Sequence, residues 1–170
     1  MLPNASLVSC SQDKTIKVWN IEQGIWTKTL NDHTDSVYGL LFLENGNLAS
    51  CSKDESIKIW NLESGICTTT LIEHNGEVLS LALKDSGELI SASNDKTIKM
   101  WNLETGTCIK SLNGHIGGIN NIELYQNILI SCSVDNTIKF WNLETSECIR
   151  TLTVHTGDIY SLRIAWYFDD

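Results

Sequence analysis

Serine, histidine, aspartate and tryptophan recur along this chain at matching intervals, and the first three are the ingredients of acid–base catalysis. His33 is followed by Ser50, Asp54 and Trp60, His74 by Ser91, Asp95 and Trp101, and His115 by Ser131, Asp135 and Trp141. In a hydrolase triad the imidazole takes the hydroxyl proton while the carboxylate orients the ring. Such a site is normally single and open to substrate, whereas this set returns with every unit and includes an indole N–H that would occupy the hydroxyl. Repetition argues for a structural use of the four groups, and no catalytic residue is expected. One further set is divided. Ser9, Asp13 and Trp19 stand near the N-terminus with no His before them, and His155 stands near the C-terminus with no such set after it.

The elements that must hold these residues are themselves written four times. A 27-residue string beginning at Leu7 has relatives beginning at Leu48, Leu89 and Leu129, offset by 41, 41 and 40 residues. A period of roughly 40–45 residues with a strand ending in Trp is the signature of a β-propeller built from four-stranded blades. A single unit cannot bury its own apolar faces and is stable only when stacked on neighbours. In the second unit, alternating runs at 47–52, 56–61 and 65–71 predict three strands, b, c and d, separated by Lys53-Asp54-Glu55 and Leu62-Glu63-Ser64. The apolar run after His33, ended by the turn Asn45-Gly46, predicts a strand a, with counterparts at 77–83, 118–124 and 158–164.

Strand a is apolar nearly throughout, so it is expected to be buried on both faces near the ring axis, with strand d at the outer edge. The phase of the repeat gives an all-β fold of sixteen antiparallel strands. They divide into a partial blade b-c-d at 1–32, full blades at 33–73, 74–114 and 115–154, and a lone strand a in 155–170.

Of the 170 residues, 42% are hydrophobic and 19% charged, an ordinary globular balance. The formal charge of −9 opposes binding to phosphate backbones and anionic membranes, so neither nucleic acid nor membrane is expected as a partner. No apolar run approaches the roughly 20 residues that cross a bilayer, and no secretory leader opens the chain. The acceptor pattern at Asn4 is therefore expected to stay unused. The six cysteines fall at equivalent places, Cys10, Cys51 and Cys132 beside Ala92, and Cys67, Cys108 and Cys148 beside Trp26. Positions that alternate with Ala or Trp are packing positions, and no Cys-x-x-Cys pair occurs. Buried reduced thiols, no metal, no cofactor and a cytoplasmic or nuclear setting are the expectation.

The string Ser-x-Ser-x-Asp-x-x-Ile-Lys-x-Trp-Asn, with a His fourteen residues after each Trp, resembles the WD-repeat β-propeller family over essentially the entire chain. The family's Trp-Asp pair reads Trp-Asn in all four copies, and its Gly-His pair survives only at Gly114-His115, with Asp32, Glu73 and Val154 elsewhere. The resemblance implies that indole N–H, hydroxyl, imidazole and carboxylate form one hydrogen-bonded chain in each blade. The physical need is plain, since a buried indole donor left unpaired costs about 1–3 kcal/mol.

Closed rings of this family join the two chain ends in one blade and usually have about seven blades. Three forms follow: an open arc that is a fragment of a longer propeller and lacks about three of its blades, two copies in a homodimer completing an eight-blade ring, or a strained four-blade ring. The resemblance further implies a non-catalytic protein-protein interaction scaffold or adaptor that binds peptides or proteins on one face. Matching positions are Ser36, Tyr38, Glu77, Leu79, Asn120, Asp158 and Tyr160 around strand a, and Lys53, Asn94 and Val134 before the turn aspartates. Alternatives are a substrate-receptor or regulatory part of a larger protein, such as a ubiquitin ligase or a signalling protein, and more distantly a propeller-channel enzyme.

Overall fold

Four antiparallel sheets follow one another along the chain in a computed structural model that describes residues 6–165. The Asn4 acceptor and the outermost parts of the terminal units, 1–5 and 166–170, lie outside the described residues. The first sheet holds β1 (Ser6–Cys10), β2 (Ile16–Asn20) and β3 (Ile25–Leu30), in the order β1-β2-β3. The second runs β4 (Val37–Phe42), β5 (Leu48–Ser52), β6 (Ile57–Asn61), β7 (Ile66–Leu71). The third runs β8 (Val78–Leu83), β9 (Leu89–Ser93), β10 (Thr97–Asn102), β11 (Thr107–Asn113). The fourth runs β12 (Ile119–Tyr125), β13 (Ile128–Ser133), β14 (Ile138–Asn142), β15 (Cys148–Leu152).

Local chemistry explains why the units fold alike. The asparagine after each Trp turns the chain from the third strand to the fourth: Asn20, Asn61, Asn102 and Asn142 accept the N–H of Gln23, Ser64, Thr105 and Thr145 at 2.8–3.2 Å. An acceptor oxygen is all this turn requires, so the exchange of Asp for Asn costs the fold nothing. One register shift recurs immediately before each indole, between Val18 and Trp19, Ile59 and Trp60, Met100 and Trp101, and Phe140 and Trp141. Such a bulge re-aims the side chain that follows it.

The core lies between sheets rather than within them. Trp60 packs in one cluster with Ile16 and Leu30 of the first sheet, and Trp101 with Ala49, Ile57 and Leu71 of the second. Trp141 packs with Ile98 and Leu112 of the third. Each indole thus covers the preceding sheet, and four sheets make three apolar layers.

Two expectations are corrected. The strands buried along their whole length are β5 and β9, the second of their sheets, whereas β4 and β8 are buried only in part. The array is an open arc, and the inner strand is an edge of its own sheet while the second strand has a neighbour on either side. The outer position of the fourth strand holds, with β7 alternating between exposed and half-buried up to Leu71. Residues 158–164 join no strand ladder among the described residues, which contain fifteen strands rather than sixteen. A strand needs a ladder partner, and the sheet lacking an inner strand is at the opposite end of the arc. The strained four-blade ring is excluded by the same open geometry.

Candidate functional site

Three of the repeated sets close into the same hydrogen-bonded chain. The indole of Trp60 donates to Ser50 Oγ at 2.8 Å, Ser50 Oγ lies 2.7 Å from His33 Nε2, and His33 Nδ1 lies 2.8 Å from Asp54 Oδ2. The third sheet repeats this through Trp101, Ser91, His74 and Asp95 at 2.8, 2.7 and 2.7 Å. The fourth does so through Trp141, Ser131, His115 and Asp135 with the same three distances. Because the hydroxyl already accepts the indole proton, its own proton goes to Nε2, and Nδ1–H donates to the carboxylate. In the first sheet Trp19 donates to Ser9 Oγ at 2.8 Å, but no imidazole joins them, and His155 has no hydrogen-bond partner among the described residues.

Electrostatics match this assignment of protons. Burial is the largest influence on His33 and His115 and lowers both below the ordinary 6.5, although the facing aspartate opposes it. Burial pushes Asp54 up, yet hydrogen bonds from Ser56, the Thr34 N–H and His33 outweigh it and hold the carboxyl down at about 2. Asp95 and Asp135 are likewise held well below the carboxylate range, against the effect of burial. His33 and His115 are therefore neutral and the aspartates charged in the folded chain.

A dependence on pH follows. A histidine whose folded pKa is depressed resists a proton that the unfolded chain takes up near 6.5, so its stabilisation weakens as pH falls below that value. The Asp54 contribution is present above 3.8 and is lost as pH falls through about 2. Both effects have one sign: the urea midpoint is expected to fall steadily on acidification from about pH 7 to pH 3. A midpoint that rises over this range would contradict the network.

Catalysis by these sets is blocked by access. Ser50, Ser91 and Ser131 are 0% exposed, and His33, His74 and His115 are also buried. Among the described residues no group of three or more His, Cys, Asp or Glu has a metal-binding arrangement. Cys51 and Cys132 are buried, and burial raises both thiols, Cys132 to about 11. The expectation of buried thiols fails for Cys148, which is exposed with no described sheet after its own, and for Cys10, Cys67 and Cys108, which are half-buried.

Residues that sequence reasoning missed complete each set. The hydroxyls of Thr15, Ser56, Thr97 and Thr137 donate to the preceding aspartate at 2.6–2.7 Å. Ser11, Ser52, Ser93 and Ser133 accept the aspartate's own N–H at 3.0–3.1 Å. Their constant spacing from the aspartate was the available signal. Lys28 and Lys110 tie neighbouring sheets by donating to the Leu62 and Leu143 carbonyls at 2.8 and 2.7 Å. The second sheet has Thr69 at that place, so no repeat betrayed them. Of the lysines that recur two residues before each Trp, Lys58 reaches Asp32 at 2.6 Å, and Lys17 lies 4.9 Å over the Trp26 ring.

The positions expected to meet a partner divide. Tyr38, Lys53, Asn94, Asp158 and Tyr160 are exposed, and Glu77, Leu79 and Val134 are half-buried. Tyr38 donates to Glu77 Oε2 at 3.2 Å, and Lys53 Nζ is 3.9 Å from Glu77 Oε1, so these three side chains bridge two neighbouring sheets. Ser36 is buried, and its carbonyl accepts from the Lys53 N–H and the Ser52 hydroxyl at 2.9 and 2.8 Å. Asn120 is half-buried and donates its amide to the Ile159 carbonyl at 2.9 Å. Both are occupied in joining the inner strand to its neighbours and offer a partner little.

Comparison with known proteins agrees with this geometry. A profile of the family described as WD domain, G-beta repeat matches residues 2–20, 24–61, 65–102 and 106–142. The chain is also similar to the Homo sapiens F-box-like/WD repeat-containing protein TBL1Y, 45% identical over 42 residues. Those residues are 24% of this chain and 8% of that protein.

Proposed function

Because the chain belongs to the WD-repeat family, whose propellers are in general protein-interaction scaffolds, we propose that it acts as a non-catalytic adaptor. Its partner is a peptide or protein with an apolar anchor and weakly basic neighbours. The observation that carries this reading is the cluster of exposed Tyr38 and Lys53 around half-buried Glu77, which spans two sheets. An aromatic ring beside a carboxylate suits such an anchor, because tyrosine offers a large rigid surface and a polar tip. The net charge of −9 supports a protein partner over nucleic acid or an anionic membrane. Free thiols, including exposed Cys148, favour the reducing cytoplasm or nucleus.

Selection from a phage-displayed random peptide library tests the reading. Selected peptides are expected to bind Tyr38→Ala/Lys53→Ala at least tenfold more weakly, roughly the loss of one anchor, with circular dichroism unchanged. Equal binding to the variant overturns it.

A second reading, a receptor or regulatory part of a larger protein such as a ubiquitin ligase or signalling protein, is favoured by one observation. The matched stretch is only 8% of a longer repeat protein. Another copy of this chain is a further partner in our reading, two arcs closing head to tail into eight blades.

A further inference from the structure

Each complete sheet is sewn to its inner strand by one set of bonds. In the second sheet His33 bridges Ser50 and Asp54, the Thr34 N–H donates to Asp54 at 2.9 Å, and Ser52 Oγ and the Lys53 N–H donate to the Ser36 carbonyl. The third and fourth sheets repeat this from His74 and His115, with Asn75 and Ile116 donating to Asp95 and Asp135 at 3.0 and 2.9 Å.

The first sheet presents the receiving half alone, already shaped. Ser9 holds the Trp19 indole, Asp13 is oriented by the Thr15 hydroxyl at 2.7 Å, and Ser11 accepts the Asp13 N–H at 3.1 Å. These side chains line a groove of about 430 Å³ with Lys17 and Trp26.

The delivering half sits at the other end. His155 is exposed, and 159–163 lies against the end of β13 through Ile159 N–H to Ser133 O at 3.2 Å and against β12 through Leu162 N–H to Asn121 Oδ1 at 3.3 Å and an Arg163–Glu123 ion pair. The inner strand β4 is held to the first sheet in the same way, by Val37 N–H to Ser11 O at 3.0 Å. The segment therefore occupies the place of the next inner strand, with no described strand beside it. The apolar layers tell the same story. Leu30, Leu71 and Leu112 are 1–2% exposed beneath the following sheet, whereas their counterpart Leu152 is 37% exposed. At the opposite end Trp26 is 58% exposed.

We propose that the two halves join between copies of this chain, the 155–164 segment of one copy entering the first sheet of another beside β1. The proposal rests on the two-arc reading above and assigns its junction. Ser9 donates to His155 Nε2, while His155 Nδ1–H and the Thr156 N–H donate to Asp13. Ser11 and the Gln12 N–H donate to the carbonyls of Gly157 and Asp158. The Trp19 indole of the receiving copy covers Leu152 of the donor. The arc is open, so a chain does not meet its own other end.

Light scattering after size exclusion, over a range of concentrations, tests this with four samples: the chain, Asp13→Ala, His155→Ala, and an equal mixture of the two variants. The unaltered chain is expected at twice the mass of one copy. Each variant alone dissociates at least tenfold more readily, and the mixture regains a two-copy species, because one intact junction pairs the histidine of the first variant with the aspartate of the second. Both side chains are exposed, and circular dichroism checks that folding is intact; Asp13→Asn and His155→Gln provide a second pair. Two-copy mass unaffected by either variant overturns the junction and leaves the two-arc reading standing. Masses beyond two copies that the variants abolish support the junction and overturn the closed ring of two. A single-copy mass at every concentration overturns both.

Discussion

Replacing Trp101 by alanine is expected to lower the melting temperature by about 10–15 °C, at roughly 2–4 °C per kcal/mol for a domain of this size. The indole is 1% exposed in the layer between the second and third sheets, in one cluster with Ala49, Ile57, Leu71 and Leu89. Removing it leaves a cavity and costs about 3–5 kcal/mol. The Ser91 hydroxyl also loses the donor it holds at 2.8 Å. In a stacked array the damage is local, because a sheet is stabilised chiefly by its neighbours. Trp101→Phe separates the two causes, since it keeps most of the packing and loses only the N–H. Circular dichroism during heating reads both variants, and an unchanged transition for Trp101→Ala removes the layer from any account of stability.

Asp95→Ala is expected to cost about 2–4 kcal/mol, because it strands several donors at once in a low-dielectric site. Asp95 accepts from His74 Nδ1 at 2.7 Å, the Asn75 N–H at 3.0 Å, and both the N–H and hydroxyl of Thr97 at 2.9 and 2.7 Å. Asp13 stands at the same place in the first sheet, exposed, bonded to Thr15 and facing no imidazole. With copies kept apart by dilution, Asp13→Ala is therefore expected to leave the melting transition where it is. Chemical unfolding of the two variants side by side measures what the histidine connection adds. Equal losses would mean that the turn, not the buried chain of bonds, is what the aspartate serves.

Much of this was legible in the residues, for a physical reason. Repetition multiplies each signal: one Ser-x-Ser-x-Asp would say little, but four at a fixed spacing identify the turn and the strands on either side. The sets on His33, His74 and His115 could be read because every partner recurs at a constant interval. The lysine ties from Lys28 and Lys110 could not be read, since they occur in alternate units and connect residues 34 and 33 positions apart. Exposure of the partner-facing positions was also hidden. Ser36 and Tyr38 are two residues apart on one edge, yet the first is closed by the Lys53 N–H and the Ser52 hydroxyl while the second stands in solvent.

By itself the sequence determined the unit: its strands, its turns, and the demand that each buried indole find an acceptor. These depend on backbone preference and on contacts within about 40 residues, which repeat with the chain. Only the tertiary structure decided how the units stand to one another. Whether the inner or the second strand is fully covered, and whether 158–164 finds a ladder, depend on how far the arc turns. That angle is the sum of small packing choices across three layers, and no single position in the chain carries it.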